Sequence, residues 1–401
     1  MTDINYFLSE KKIFISKLII SGFRNHIDTN LDLSNGISIF IGKNGQGKSN
    51  LIEAIYMLAI AKSTRTSYEI ELINNEISKK NGHVQISAIG KSDTKNIQAQ
   101  IDFDVTTGKT NPDKSLILRK SLRVNGLVRK SPDFVGSINV VCFEVNNLEI
   151  LTGPPSNRRK YIDILISQTD QDYIRTLQRY RNVIKQRNYL LKLIKEKKSS
   201  EKELSFWDER LIYEGANIFL SRKRIIQKLI EFLVPQHAIL SGGDEIEIIY
   251  RPKISTKQQN INNLTREEIE SLMMENLRKI KSLEIIQGIS LLGPHRDDIE
   301  IKFNGELASS RASRGQSRII VLSLKLSEAS ILKELTGYSP ILALDDILSE
   351  LDEEKRKIVL ETTINYEQVF ITSSDEFIFK NINLPKSKMY NIYEGKVTEK
   401  N

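Results

Sequence analysis

Ile37, Ile39 and Ile41 alternate with Ser38 and Phe40, a β-rich apolar run that predicts a buried strand. The run ends in a glycine-rich turn, GKNGQGKSN. Beyond it Leu51, Ile52, Ile55, Tyr56 and Ala59 recur at helical spacing. Far along the chain Ile341 to Leu344 are apolar and close on Asp345-Asp346, which predicts a second buried strand with an acidic tip. A third run, QVFI, predicts a further strand just before Thr372. The middle has a different period. Tyr173, Leu177, Tyr180, Ile184, Leu191 and Ile194 follow a three-four spacing interrupted by Arg187. Trp207, Leu211, Ile218, Ile225 and Leu229 predict a second helix ending near Pro235, joined to the first as an antiparallel pair by the polar stretch Glu196 to Ser205. A third helix starts at Thr265, which forms a capping box with Glu268. Lys253 to Asn263 is polar and non-periodic and reads as a linker or mobile loop.

With 401 residues the chain is long enough for two domains. Its formal charge of +8 favours acidic partners, nucleic acid first and an anionic membrane surface second. The single cysteine, Cys142, lies between Val141 and Phe143, so an internal disulfide framework is excluded and a packing role is expected. No run is long enough to span a bilayer, and the segment MTDINYFLSEKK lacks the features of a secretory signal. The expectation is a cytoplasmic protein with no membrane partner.

The turn satisfies G-x-x-x-x-G-K-[ST] through Gly42, Gly47, Lys48 and Ser49. Glycines let successive backbone N–H groups curl around phosphate oxygens. Lys48 brings a cation to the β/γ-phosphates, Ser49 offers a hydroxyl to Mg2+, and the helix start adds its positive end. The candidate phosphate-binding set is therefore Gly42, Lys43, Asn44, Gly45, Gln46, Gly47, Lys48, Ser49 and Asn50. Asp345 is the matching metal-side carboxylate, and Asp346 is placed to orient or activate an attacking water. No N-K-x-D occurs, which disfavours a GTPase, and the two motifs lie about 300 residues apart, so an insertion separates them. Ser313, Gly315 and Gln316 precede a strongly helical stretch and form a second phosphate-facing constellation. One nucleotide needs one cradle. Two cradles in a chain suggest that the second serves the nucleotide of another copy.

The P-loop, the Ser-x-Gly-Gln signature, the acidic strand and the following Ser349-Glu350-Leu351-Asp352 resemble the ABC ATPase heads of the SMC-like group. The chain is more closely similar to the RecF family of bacterial recombination mediators. The similarity is carried by LIISGFRNHIDTNLDLSNGISIFIGKNGQGKSNLIEAIYMLA, KSTRTSYEIELI, GPPSNRRKYIDILISQ, RYRNVIKQRNYLLK, FWDERLIYEGANI, LLGPHRDDIEI, SRGQSRIIVLSLKLSEA and ILALDDILSELDEEKR, in order from about residue 18 to about 375. The resemblance implies an α/β, ABC-type P-loop ATPase head with an inserted, mainly helical lever domain and no long coiled coil. The expected parts are residues 1–154 and 286–401 for the head and 155–285 for the lever. It implies that Arg24 and Asn25 approach the nucleotide phosphates or base. Ser313, Gly315 and Gln316 would reach the γ-phosphate of the opposite protomer's ATP. Asp345 would organise Mg2+, Asp346 would hold the catalytic-carboxylate position beside Lys48, and Asp352 would lie at the dimer seam.

Further implications are a slow, DNA-stimulated ATPase and an ATP-dependent homodimer. That dimer would bind single-stranded, double-stranded and gapped DNA and act with RecR, and with RecO, to promote RecA loading. Many related heads carry Glu where this chain has Asp346, and the shorter side chain fits slow turnover. Where related heads place a Gln, this chain offers Glu144, Asn146 and Asn147; where ABC ATPases often carry His as a γ-phosphate sensor, Thr372 stands. Arg158, Arg159, Arg175, Arg179, Arg181, Lys185, Arg187, Lys192, Lys195, Lys197 and Lys198 form a dense basic set on the first inserted helix and its lead-in. Such a set suits binding to phosphates. Arg65 is a candidate for facing nucleotide or DNA, or for a surface salt bridge. GPHRDD reads as a structural or nucleotide-adjacent loop, because His295 lacks further histidines at ligand spacing. The alternatives are an ABC subunit powering a membrane transporter, and a chromosome-structuring SMC-like head. The long motif spacing and the absence of a long coiled coil argue against them.

Overall fold

The apolar runs become strands of one sheet. In a computed structural model describing residues 13–78, 82–92, 96–107, 116–254, 264–380 and 384–400, they form Gly36–Ile41, Gln368–Ser373 and Ile341–Asp345. These lie side by side and parallel, with Val140–Glu144 on one flank and the hairpin Ser387–Tyr393/Lys396–Lys400 on the other. Near-continuous burial along the central strands explains why they read as apolar runs. The register sets Asp345 opposite both Thr372 and Glu144. Parallel strands put their C-terminal tips on one edge, where α/β sheets bind ligands.

The helix after the P-loop, Lys48–Ile60, has eleven buried residues, including Glu53 and Lys48. It packs against this sheet on one side and a second, antiparallel sheet on the other. That second sheet runs His26–Asp32, Ile13–Phe23, His83–Ser92, Asn96–Thr107, Leu116–Val124, Leu127–Val128. Its strands mix buried positions with half-buried or exposed ones, so they do not read as continuous apolar runs. Gln368 stitches the sheets together. Its amide accepts from Ile15 N at 2.8 Å and donates to Ile15 O at 2.9 Å and Ser34 O at 3.1 Å.

The chain divides into two compact units. One comprises Met1–Leu148, Ile239–Gly242 and Arg314–Asn401, the other Glu149–Ala238 and Gly243–Ser313. The inserted unit is therefore larger than the expected 155–285. The expected downstream edge falls inside the helix Arg266–Gln287, and strand Asp298–Phe303 pairs with Ile246–Arg251 of the same unit. The helices otherwise follow the periodicity: Gln171–Lys195, Leu204–Ser241 and Arg266–Gln287, the last with the Thr265/Glu268 capping box in place. Ion pairs from Arg187 to Asp208 and from Arg179 to Glu214 show the first two running antiparallel. The second does not stop near Pro235. Pro235 and Glu231, whose carbonyl loses its partner, are both exposed, so water satisfies the break. The helix runs on to Ser241 and meets Gly242-Gly243, both at positive φ. Most of the expected linker, residues 255–263, lies outside the described residues, as does the N-terminal dozen.

Candidate nucleotide site

The P-loop curls at the edge where the strand tips collect. Gly47 sits at φ 115°, and a Cβ there would lie 2.8 Å from the Asn25 side chain, so only glycine fits. Lys48 Nζ donates to Gly42 O at 2.7 Å and Lys43 O at 3.1 Å, which holds the cation across the loop. Burial lowers its pKa, opposed by the charges of Asp346 and Asp345. Ser49 Oγ donates to Asp345 Oδ1 at 2.9 Å across 296 residues of sequence. Thr372 Oγ1 donates to the same oxygen at 2.8 Å and accepts from Asp346 N at 3.0 Å. Thr372 thus orients Asp345 and anchors the backbone of Asp346. That backbone is left-handed at φ 53°, and the side chain accepts from Ser349 Oγ at 3.2 Å. Burial raises the Asp345 pKa, opposed by the bonds from Thr372 and Ser49. A hydroxyl and a carboxylate sharing this position are a fitting donor set for Mg2+.

Arg24 and Asn25 brace the loop. The Arg24 guanidinium is doubly bonded to Glu53, at 3.1 and 3.0 Å, and Nη1 reaches Glu71 O at 2.9 Å. Glu53 is 1% exposed, and also takes the Ser63 hydroxyl at 2.6 Å. Sequence reasoning missed Glu53; the available signal was a carboxylate on the apolar face of a buried helix. Asn25 Nδ2 donates to Gln46 O at 3.0 Å, and its oxygen accepts from Asn50 Nδ2 at 2.9 Å. Arg65 lies 3.7 Å from Glu53 and 3.3 Å from Asn50 Oδ1, so it forms a salt bridge beside the loop. Lys43, Asn44 and Gly45 are exposed at the loop's crest. Glu144 was legible by position alone. It ends its strand beside Asp345, buried, with its pKa raised by burial and then by the Asp345 charge.

Ser313 and Gly315 are exposed at the start of helix Arg314–Thr336, and Gln316 is half-buried there. Arg318, on that helix, pairs with Glu350 and donates to its backbone oxygen at 2.8 Å. Asp352 is exposed and caps helix Glu353–Thr363, accepting from Lys355 N.

In the inserted unit the basic set divides. Arg187 is fully buried, bonded to Asp208, Ser290 and Glu284, so it is corrected from a surface position to a core residue. Arg158, Arg175 and Arg179 are paired with Asp298, Asp172 and Glu214, and Arg159 donates to Asp297 O at 2.6 Å. Lys198 pairs with Glu196. Arg181, Lys185, Lys192, Lys195 and Lys197 remain exposed, the first four on one stripe of the helix. GPHRDD is structural. Asp297 is buried against Arg222, Asp298 holds Arg158, and His295 donates from Nε2 to Ser290 O while accepting the Tyr180 hydroxyl at 2.7 Å. No cluster of potential metal ligands occurs among the described residues, and no helix among them is long and apolar enough to cross a membrane.

A parallel-sheet P-loop core beside an antiparallel sheet, interrupted by a helical unit with no long coiled coil, defines an ABC-type ATPase head of the SMC-like group. An Smc head domain from Pyrococcus furiosus aligns with TM-score 0.52 at 16% identity, over 97% of this chain and 96% of that one. Residues 14–399 match the RecF/RecN/SMC N-terminal domain family. Relatives described as DNA replication and repair protein RecF include those of Herpetosiphon aurantiacus, 34% identical over 90% of this chain and 94% of its own, and Ligilactobacillus salivarius, 34% identical over 97% and 98%. The solved structure of a recombination mediator protein RecF with ATP aligns at TM-score 0.83 and 31% identity, over 97% of this chain and 98% of that one. The chain belongs to the RecF family.

Proposed function

We propose that the chain is an ATP-dependent DNA-binding ATPase of recombinational repair and replication-fork maintenance, located in the cytoplasm. The observation that carries the reading is the Ser49–Asp345 hydrogen bond at 2.9 Å beside the P-loop, in a chain whose Ser313 and Gly315 are exposed. Lys48 and the amides of residues 43–49 would hold the ATP phosphates. Ser49 and Asp345 would hold Mg2+, with Thr372 fixing the carboxylate. Bound there, Mg2+ would neutralise charge on the β- and γ-phosphates. Asp346 would orient the attacking water, and Glu144 would keep a second carboxylate next to the metal side.

Ser313, Gly315 and Gln316 would complete the site of a second copy, so ATP drives head-to-tail dimerisation, with Asp352 near the seam, and slow hydrolysis reverses it. Arg24 and Asn25 would act on nucleotide through the loop they brace. Arg181, Lys185, Lys192 and Lys195 span about 21 Å of helix at 1.5 Å per residue. That length suits binding to several successive phosphates. The two outer chain segments would form the head and the inserted unit the lever. The dimer would recognise gapped or single-/double-strand junction DNA and, with RecR and RecO, promote RecA loading. Gel shifts on gapped DNA with ATP, with and without RecR, test this. Wild type is expected to bind with ATP and Lys48→Met not to. DNA binding independent of nucleotide, or none at moderate salt, contradicts it.

A further inference from the structure

The last hairpin grips the P-loop. Tyr393 pairs with Lys396, so only Glu394 and Gly395 connect the strands. Both have positive φ, 47° and 76°, the type I′ geometry that matches hairpin twist. The turn's two amides converge on one residue of the loop. Glu394 N donates to Gln46 Oε1 at 2.7 Å, and Gly395 N donates to Gln46 O at 2.9 Å. His26, fully buried, adds a second bond to the next carbonyl: its Nε2 lies 3.0 Å from Gly47 O, which also accepts from Leu51 N at 3.0 Å. A carbonyl only accepts, so the proton is on Nε2, while Nδ1 lies 3.0 Å from the Thr29 hydroxyl, which donates to Gly395 O at 3.2 Å. The packing is close. A Cβ on Gly395 would fall 2.1 Å from Asn25 O.

The peptide plane explains the consequence. C=O and N–H of one trans peptide point in opposite directions. Holding Gln46 O against the hairpin turn aims the Gly47 N–H away from that turn, and holding Gly47 O against His26 and Leu51 N aims the Lys48 N–H away from them. We propose that His26, Gln46 and the Glu394–Gly395 turn are positioning elements that hold the phosphate cradle in its binding shape, so that they set nucleotide affinity and leave turnover at saturation unchanged. Gln46 then serves the site from outside, through the turn. The inference rests on the reading of this loop as an ATP site.

Calorimetric Kd for ATP and ADP, together with kcat and KM, tests it on full-length His26→Phe, His26→Gln, Gln46→Ala and Glu394→Asn, with Lys48→Met as reference. His26→Phe and Gln46→Ala are expected to raise Kd and KM about tenfold, the loss of one hydrogen bond each, and His26→Phe to keep kcat within about twofold. His26→Gln restores an N–H donor and is expected within about threefold of wild type. Glu394→Asn favours positive φ and removes a negative charge, and is expected to tighten Kd about two- to threefold. Gln46 is half-buried and Glu394 exposed, so these two carry the test if His26→Phe fails to fold. Kd within twofold of wild type for both Gln46→Ala and Glu394→Asn, or a fall in kcat at unchanged Kd, overturns the proposal and leaves the ATP site standing. A wild type that does not bind ATP overturns both.

Discussion

Replacing Arg187 with Ala removes the centre of a buried ionic cluster. The guanidinium donates to Asp208 Oδ1 at 2.8 Å, Ser290 Oγ at 2.8 Å and Glu284 Oε2 at 2.6 Å. Glu284 is 0% exposed, and its other oxygen accepts from Leu291 N at 2.7 Å. Asp208 reaches solvent at 18% side-chain exposure and survives the loss, whereas Glu284 is left as an unpaired buried charge. Breaking such a pair costs about 3–5 kcal/mol. With a slope near 2 kcal/mol per M urea, the midpoint should fall by about 1.5–2.5 M. The chain's only tryptophan, Trp207, packs against Leu190, Leu191, Ile194 and Leu204 in the same unit, so its fluorescence reports the transition. The double variant Arg187→Leu/Glu284→Leu removes both charges and should recover more than half of the loss. A single variant with an unchanged midpoint, or a double variant as unstable as the single, refutes the assignment of Arg187 to the core.

Two further outcomes are expected. Burial holds the His295 pKa down at about 4, so the folded state resists a proton that the unfolded chain accepts near 6.5. Stability is full above pH 6.5 and is lost as pH falls toward 4, by about 2 kcal/mol at pH 5. The raised pKa of neighbouring Asp297 acts in the opposite direction, so the His295 contribution is read as the difference in pH slope between wild type and His295→Gln in urea titrations. Charge reversal at Arg181, Lys185 and Lys192 should reduce the salt dependence of DNA binding, the log–log slope falling by about 0.9 for each DNA phosphate that is no longer neutralised. An unchanged slope in fluorescence anisotropy places the DNA elsewhere.

The parts legible in the sequence were those in which local pattern and chemistry coincide. The P-loop strand and helix, the acidic strand and the capping box at Thr265 each satisfy a short-range rule, and each lies where that rule puts it. The antiparallel sheet was harder to read because its strands are only half-amphipathic, and the pairing that sets Ile13–Phe23 beside His83–Ser92 is long-range. A basic residue's spacing also does not reveal its partner. Arg187 interrupted an apolar stripe, the sign that it points inward, and its carboxylates lie 21 and 97 residues away. The braces of the site were hidden for the same reason. Glu53 is 29 residues from Arg24, and the turn that grips Gln46 comes 348 residues later.

The most direct test of the ATP-driven dimer is sedimentation velocity of wild type and Ser313→Arg with Mg2+ and ATP, with ADP, and without nucleotide. Wild type should approach twice the monomer mass of 45.9 kDa with ATP alone. Ser313→Arg should bind ATP as wild type does and remain monomeric, because the substitution fills the position that would meet the other copy's phosphates. A Ser313→Arg protein that dimerises with ATP as well as wild type, or a wild type whose dimer forms equally without nucleotide, contradicts the head-to-tail sandwich.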